Sequence, residues 1–94
     1  MPASRIITCA MRDSNGVYNG PWDLGEDDPI YEGDYVFQGP CSFTVNGNIK
    51  CKGKLKGMNG ADVTVNGDVE AYTAEFESPC TLSVQGMAIY TVNP

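Results

Sequence analysis

Histidine is missing from this 94-residue chain, and positively charged residues are few. The absence of histidine removes the commonest general base and the commonest metal ligand. Six Lys and Arg stand against twelve Asp and Glu, so the net charge is −6. Because phosphate backbones select lysine and arginine, this balance argues against non-specific nucleic-acid binding. We therefore predict no metal, no cofactor and no nucleic acid as a partner.

Long apolar runs are also missing. No stretch approaches the roughly 20 apolar residues of a membrane span, and residues 1–11 lack the basic start and long apolar run of a signal peptide. We expect synthesis in the cytoplasm, where thiols stay reduced, and hence four free, mostly buried cysteines. These are Cys9, Cys41, Cys51 and Cys80. They form no C-x-x-C pair, so structural zinc is not expected.

Known catalytic and nucleotide-binding sequence motifs are absent as well. The chain contains no G-x-S-x-G, no G-x-G-x-x-G and no P-loop, and a cysteine nucleophile would find no histidine to act as its base. The prediction is a protein that is not an enzyme.

The clearest feature that is present is an alternation of apolar or small residues with polar ones over residues 41–57, CSFTVNGNIKCKGKLKG. A strand turns successive side chains to opposite faces, so this pattern predicts one buried and one solvated face. The same phase extends upstream through Tyr31, Gly33, Tyr35, Phe37 and Gly39. One all-β domain follows from the length and this pattern.

Three similar blocks recur along the second half of the chain. TVNGNI at 44–49 returns as TVNGDV at 64–69 and as SVQGMA at 83–88, with offsets of 20 and 19 residues. A fixed period of this size is typical of stacked β units. The residues predicted to form the repeated core are Phe43, Val45, Gly47, Ile49, Val63, Val65, Gly67, Val69, Leu82, Val84 and Gly86. Cys41, Ala61 and Cys80 hold equivalent positions and predict a ladder of small core residues.

The Asn-Gly pairs in these blocks normally signal two-residue hairpins. A hairpin at Asn46-Gly47 would turn Lys50 and Lys52 toward the core and Ile49 outward, which costs several kcal/mol. Strands that continue or bend at the glycine avoid this cost. We therefore predict stacked rungs, as in a β-solenoid or a trimeric β-prism, with a small barrel or sandwich as the alternative. In such a stack Asn46 would lie over Asn66 and Lys50 over Glu70.

The first part of the chain is predicted to differ from the rest. Residues 1–34 would form an N-terminal strand, at 4–11, followed by a loop-rich arm, and residues 35–94 the repeated β region of the same domain. The segment 12–30 is dense in Asn, Gly, Pro and Asp and predicts an irregular loop. Trp22 either covers an open end of the core or contacts a partner.

Two groups of charged residues are candidate partner-binding sites. An acidic cluster contains Asp23, Glu26, Asp27, Asp28, Glu32 and Asp34, and its spacing does not fit a calcium loop. Four lysines share one strand face: Lys50, Lys52, Lys54 and Lys56. They are interpreted either as a solvated face that deters edge pairing or as a docking stripe for an acidic partner surface or a phosphate. The favoured target of such a stripe is the acidic segment 23–34 of a neighbouring copy.

The repeated blocks, the alternation over 41–57 and the loop-rich N-terminal arm together resemble small virion proteins of tailed phages. The resemblance is to capsid decoration (cement) proteins and to the β-prism segments of tail spikes. It implies a compact homotrimer that binds the major capsid protein, stabilises the shell and is assembled in the host cytoplasm, with residues 1–34 as an arm anchored by Trp22. Two alternatives are a small acidic inhibitor of a host defence or regulatory protein and a bactofilin-like scaffold that polymerises end to end.

Overall fold

Parallel strands account for more than half of the residues that the computed structural model describes, which are 4–18 and 30–92. Ten strands follow in chain order: β1 (Ser4–Ile7), β2 (Val17–Tyr18), β3 (Asp34–Gln38), β4 (Ser42–Val45), β5 (Ile49–Lys50), β6 (Lys54–Met58), β7 (Asp62–Val65), β8 (Val69–Phe76), β9 (Thr81–Val84) and β10 (Ala88–Val92). One 3-10 helix, Cys9–Met11, interrupts them, and no α-helix occurs within these two ranges. The prediction of an all-β protein is confirmed.

The strands form two sheets. The first sheet has the order β1-β3-β6-β8-β10, with β5 also paired to β8, and the second has the order β2-β4-β7-β9. All the strand pairs within both sheets are parallel. Across the two described ranges neither sheet closes on itself, so the alternative of a small barrel is wrong.

The register places the three similar blocks side by side in the second sheet. Phe43 lies opposite Val63, and Val63 lies opposite Leu82. Because the pairing is parallel, Asn46-Gly47 is not a hairpin turn, and the chain instead passes through a corner into the first sheet. Gly47 has a φ of 151°, a conformation that side-chain-bearing residues rarely adopt.

The core lies along the inward-facing positions of both sheets. Its largest fully buried members come from both sheets and from the N-terminal strands: Ile7, Tyr18, Phe37, Phe43, Val45, Ile49, Leu55, Val63, Val65 and Val69. Burial over residues 42–57 alternates as the sequence pattern requires, with lysines at the outward positions. Fully burying one Val, Leu, Ile or Phe side chain contributes about 1.5–3 kcal/mol. A shift of one residue in the strand register would turn every inward side chain of that strand to the solvent and lose this contribution.

The N-terminal residues differ from the sequence prediction. The strand predicted over 4–11 ends at Ile7, and the irregular loop predicted over 12–30 contains β2. β1 pairs with β3 and β2 pairs with β4, so each lies at one edge of its sheet. The physical reason is burial, since Ile7 and Tyr18 are inward-facing and fully buried there.

Residues 31–39 also belong to the stacked arrangement. Tyr31 forms a parallel bridge to Cys51, Tyr35 lies opposite Leu55, and Phe37 lies opposite Gly57. The offset of 20 residues is the same as that between the first two similar blocks. The regular register therefore begins about ten residues before the point where the sequence shows it plainly.

Candidate partner-binding surfaces

The four lysines of the candidate docking stripe are matched by carboxylates of their own chain. Lys52 Nζ lies 3.4 Å from Glu32, and Lys54 Nζ lies 2.8 Å from Glu75. The hydrogen bond with Glu75 raises the pKa of Lys54 above its ordinary value. Lys50 lies opposite Glu70 in the register, as the sequence predicted. The outward face of the first sheet is therefore mixed in charge.

Lys56 completes this row. It is half-buried and lies opposite Glu75, on the strand neighbouring its own, with Val36 on its other side. Lys52 and Lys54 are the exposed members of the four. Glu75 lies beside both Lys54 and Lys56 and offsets part of their positive charge.

The acidic cluster divides into a part that is described and a part that is not. The Lys54 backbone N–H donates to Oδ1 of Asp34 at 2.8 Å, and Glu32 pairs with Lys52 as given above. These two carboxylates are therefore engaged within the chain. The other predicted partner-binding residues of this segment lie outside the described residues: Trp22, Asp23, Glu26, Asp27 and Asp28. Docking of the segment 23–34 on a neighbouring copy stays a prediction.

The predicted repeat core divides by position. Phe43, Val45, Ile49, Val63, Val65 and Val69 are buried. Leu82 and Val84, which lie on β9, are partly buried. The glycines of the three blocks are at the corners: Gly47 and Gly67 are half-buried and Gly86 is exposed. Burial thus decreases toward β9 and β10.

These corners contain a hydrogen-bonded ladder. The Asp68 backbone N–H donates to Oδ1 of Asn48 at 2.8 Å, and the Met87 backbone N–H donates to Oδ1 of Asp68 at 2.8 Å. A Cβ on Gly67 or Gly86 would collide with the side-chain oxygen from the corner beneath it. Each side-chain acceptor therefore requires a glycine at the next corner, 18 or 19 residues later.

The same device occurs between residues 34 and 54. Asp34 accepts from the Lys54 backbone N–H, and a Cβ on Gly53 would collide with that carboxylate. An outward polar pair adds to the stack at the first corner, where Asn66 Nδ2 donates to Asn46 Oδ1 at 2.8 Å. This amide contact was predicted from the sequence.

The cysteines correct one prediction. Cys9 and Cys41 form a disulfide, with their Cα atoms 6.1 Å apart, whereas Cys51 and Cys80 are free and buried. The expectation of four free thiols is wrong because β1 and the 3-10 helix bring Cys9 against the turn that holds Cys41. Burial raises the pKa of the Cys51 thiol to about 11, and two backbone hydrogen bonds lower it in part. A thiol with this pKa is protonated at neutral pH and is a poor nucleophile.

The predicted ladder of small residues runs alongside these cysteines. The Asp62 backbone N–H donates to the Cys41 carbonyl, and the Thr81 backbone N–H donates to the Ala61 carbonyl, each at 3.1 Å. Cys41, Ala61 and Cys80 therefore occupy successive levels. Among the described residues, no group of three or more Cys, Asp or Glu side chains is placed to hold a metal ion.

Exposed apolar side chains gather where the stack ends at β10. Tyr72, Met87 and Ile89 are 71%, 64% and 53% exposed. Ile89 lies opposite Glu70 on β8, and Tyr72 lies two residues farther along that strand. We call these three residues the C-terminal apolar patch. The sequence interpretation did not single them out.

A groove of about 560 Å³ lies at the turns on another side of the stack. The turns that contain Pro40, Asn59-Gly60 and Ser78-Pro79 form it, and Lys56, Glu75 and Glu77 stand at its margin. Its lining mixes both charges with apolar atoms. No single class of ligand is favoured by that lining.

Comparisons with known proteins supply no relative. No family model matches the chain, and no curated protein or solved structure matches it. Within the described ranges there is no helix with the length and apolar character needed to cross a membrane. The resemblance to small virion proteins stays a prediction.

Proposed function

We propose that this protein is structural and non-enzymatic, and that it acts by binding other protein subunits. We further propose that its strands form a short β-solenoid, in which each turn of the chain adds one strand to each sheet. The observation that carries this proposal is the register, since successive levels pair in parallel at offsets of 20 and then 19 residues. A stack of this kind is a stiff support that presents fixed outward faces.

The specific role that we propose is decoration of a tailed-phage capsid, assembled in the host cytoplasm. The resemblance of the repeated blocks and N-terminal arm supports this setting. The structure supplies two kinds of surface suited to protein contacts. One is the outward face of the first sheet, with its paired charges such as Lys54 and Glu75, and the other is the C-terminal apolar patch.

Binding to capsid shells tests this role. The purified protein is mixed with empty shells assembled from the major capsid protein encoded nearest to its gene. We expect saturable co-sedimentation and a rise of several degrees in the melting temperature of the shells. Trp22→Ala should weaken binding at least tenfold, while Met11→Ala, which alters an exposed apolar residue of the same N-terminal region, should not. A folded protein that does not bind the shells would overturn the capsid role.

A second candidate is a scaffold that assembles with itself. It is favoured by the edge strands of the stack, since in the described ranges no strand pairs with the outer side of β9 or β10. Electron microscopy of the concentrated protein tests for filaments. Long unbranched filaments with the period of one subunit would favour this role over decoration, and particles of fixed size would exclude it.

A further inference from the structure

The two ends of the stack differ, because at the N-terminal end the chain itself occupies the edge of the second sheet. Ile7 and Tyr18 lie on the edge strands at this end, yet they are 0% and 1% exposed. Arg12 forms an antiparallel bridge to Tyr18, on the opposite side of β2 from β4. Its guanidinium donates to the Ser42 carbonyl at 2.8 Å and lies 5.8 Å from the Phe43 ring centroid. The edge of the second sheet is therefore already occupied at this end.

The C-terminal end is open by comparison. Leu82, Val84 and Tyr90 pack against the core but are only partly buried. Beside them are Met87 and Ile89, both mostly exposed. Within residues 4–18 and 30–92, β9 and β10 each have a strand partner on one side only. Two edge strands and an apolar row are thus presented together.

The sequence of this end carries no charge. All eighteen Asp, Glu, Lys and Arg residues fall within residues 1–77, and none falls within residues 78–94. Soluble proteins protect edge strands with charged side chains, lysine above all, because bare edges pair with other strands. Charged residues are depleted and Met and Tyr are enriched in the cores of protein interfaces. An uncharged apolar edge is therefore typical of a surface that another subunit covers.

We infer that two copies of this chain, and not the three that the resemblance to virion proteins implies, bind each other through β9 and β10, across a two-fold axis perpendicular to the stack. A two-fold axis in this direction places each edge strand antiparallel to an edge strand of the second copy, so both sheets continue across the interface. The uncharged edge lets two subunits of net charge −6 meet without like charges in contact. The two-fold axis matches these edges only with those of a second copy of the same chain, and a different protein would not be related to it by this symmetry.

The occupied edge of β2 prevents continuous head-to-tail growth of both sheets. Head-to-tail growth would require the C-terminal edge of one copy to pair with β2 of the next, where Arg12 already lies. Two-fold association uses only the open ends and is complete at two subunits. This inference rests on the proposed structural role in one respect, which is that the protein binds other subunits, here a copy of itself. The dimer is measured without shells, so its failure and the failure of shell binding are distinguishable.

Sedimentation equilibrium of the purified 94-residue protein tests the inference. We expect a dimer, and we expect the double variant Met87→Lys/Ile89→Lys to dissociate at least tenfold more readily. The control is Ile6→Lys, which places one lysine on a 49%-exposed residue of β1 at the opposite end of the stack and should leave the dimer intact. Circular dichroism checks that each variant keeps its fold.

Several results would overturn the inference. A wild-type monomer, a trimer or an open-ended assembly contradicts two-fold closure. If the Ile6→Lys variant dissociates as readily as the double variant, the contact is not specific to β9 and β10. Where the double variant fails to fold, amide hydrogen exchange of the wild type decides. Exchange in β9 and β10 should slow as the protein concentration rises, and exchange independent of concentration would contradict an interface there.

Discussion

Replacing Gly67 with alanine tests how closely successive corners approach. Gly67 lies between β7 and β8, directly over the corner that contains Gly47 and Asn48. A Cβ on Gly67 would meet both the Gly47 carbonyl oxygen and Oδ1 of Asn48, well inside normal contact distance. The φ of Gly67 lies outside the left-handed region, so alanine adds no backbone penalty. Any loss of stability must therefore come from the steric overlap and from the shifts that relieve it.

The expected cost has two parts. Overpacking of this kind destabilises by about 1–3 kcal/mol, because the backbone and not a flexible side chain has to move. Moving the corner also lengthens the 2.8 Å hydrogen bond from the Asp68 N–H to Asn48, which is worth about 0.5–1.5 kcal/mol. We expect a total loss of about 1.5–4.5 kcal/mol. For a domain of this size each kcal/mol lowers the Tm by about 4–8 °C, so the Tm should fall by about 6 °C at least and by about 36 °C at most.

Urea unfolding followed by circular dichroism measures this loss. The matched control is Asn66→Ala at the adjacent position, since the Asn66 side chain is exposed and donates only to Asn46 Oδ1. It should cost less than about 1 kcal/mol. A Gly67→Ala variant whose free energy of unfolding falls by less than about 0.5 kcal/mol would refute the close approach of the corners.

Three further predictions concern the core and the cysteines. Val65→Ala, in the centre of the stack, should lower the free energy of unfolding by about 2–3 kcal/mol, as measured by urea unfolding. This loss should be clearly larger than that of Val84→Ala at the end of the stack, where the side chain is only partly buried. Equal losses would contradict the decrease in burial toward β9. Alkylation of the unfolded, unreduced protein should label two thiols, as counted by mass spectrometry, and four labelled thiols would show that no disulfide forms. Cys9→Ser should lower the free energy of unfolding by about 3–4 kcal/mol, because the unfolded chain is no longer closed into a loop across the separation of 32 residues. Burial raises the folded-state pKa of Cys51 from 9.0 to about 11, so as the pH rises the thiol ionises first in the unfolded chain, and the free energy of unfolding should fall between these pH values. Cys51→Ala should make this fall shallower in urea unfolding at a series of pH values. Identical pH profiles for the two proteins would contradict the burial of the thiol.

Much of the stacking could be predicted from the sequence because it depends on local alternation. The pattern over residues 41–57 has only one phase that buries Ile49 and Leu55 while leaving the lysines outside, and the structure has that phase. The offset of 20 residues likewise placed Asn46 beneath Asn66 and Lys50 beneath Glu70. Each of these follows from the strand period and the repeat length alone.

Other features depend on contacts between distant segments, which the pattern does not encode. The two-residue strand β2 is too short to show an alternation, and its pairing with β4 is set by burial of Tyr18. The disulfide from Cys9 to Cys41 depends on where β1 lies, and the argument from cellular compartment pointed the other way. The lysine row looked free because its partners Glu32 and Glu75 are about 20 residues away in sequence.

The corner ladder had a sequence signal that the interpretation missed. In each linked pair, an Asp or Asn that follows a glycine is succeeded 18 or 19 residues later by another glycine, as with Asn48 and Gly67, Asp68 and Gly86, and Asp34 and Gly53. The reason is steric, since the side-chain oxygen of the Asp or Asn occupies the space that a Cβ on the later glycine would need.

Nuclear Overhauser contacts between backbone protons decide whether the similar blocks pair in parallel and in register. In the structure the Asn66 backbone N–H donates to the Val45 carbonyl at 2.8 Å, and the Gln85 backbone N–H donates to the Val65 carbonyl at 2.9 Å. We predict contacts from the Val45 Hα to the Asn66 amide proton and from the Val65 Hα to the Gln85 amide proton. Strong Hα–Hα contacts between the strands that flank Asn46-Gly47 would show an antiparallel hairpin and contradict the account.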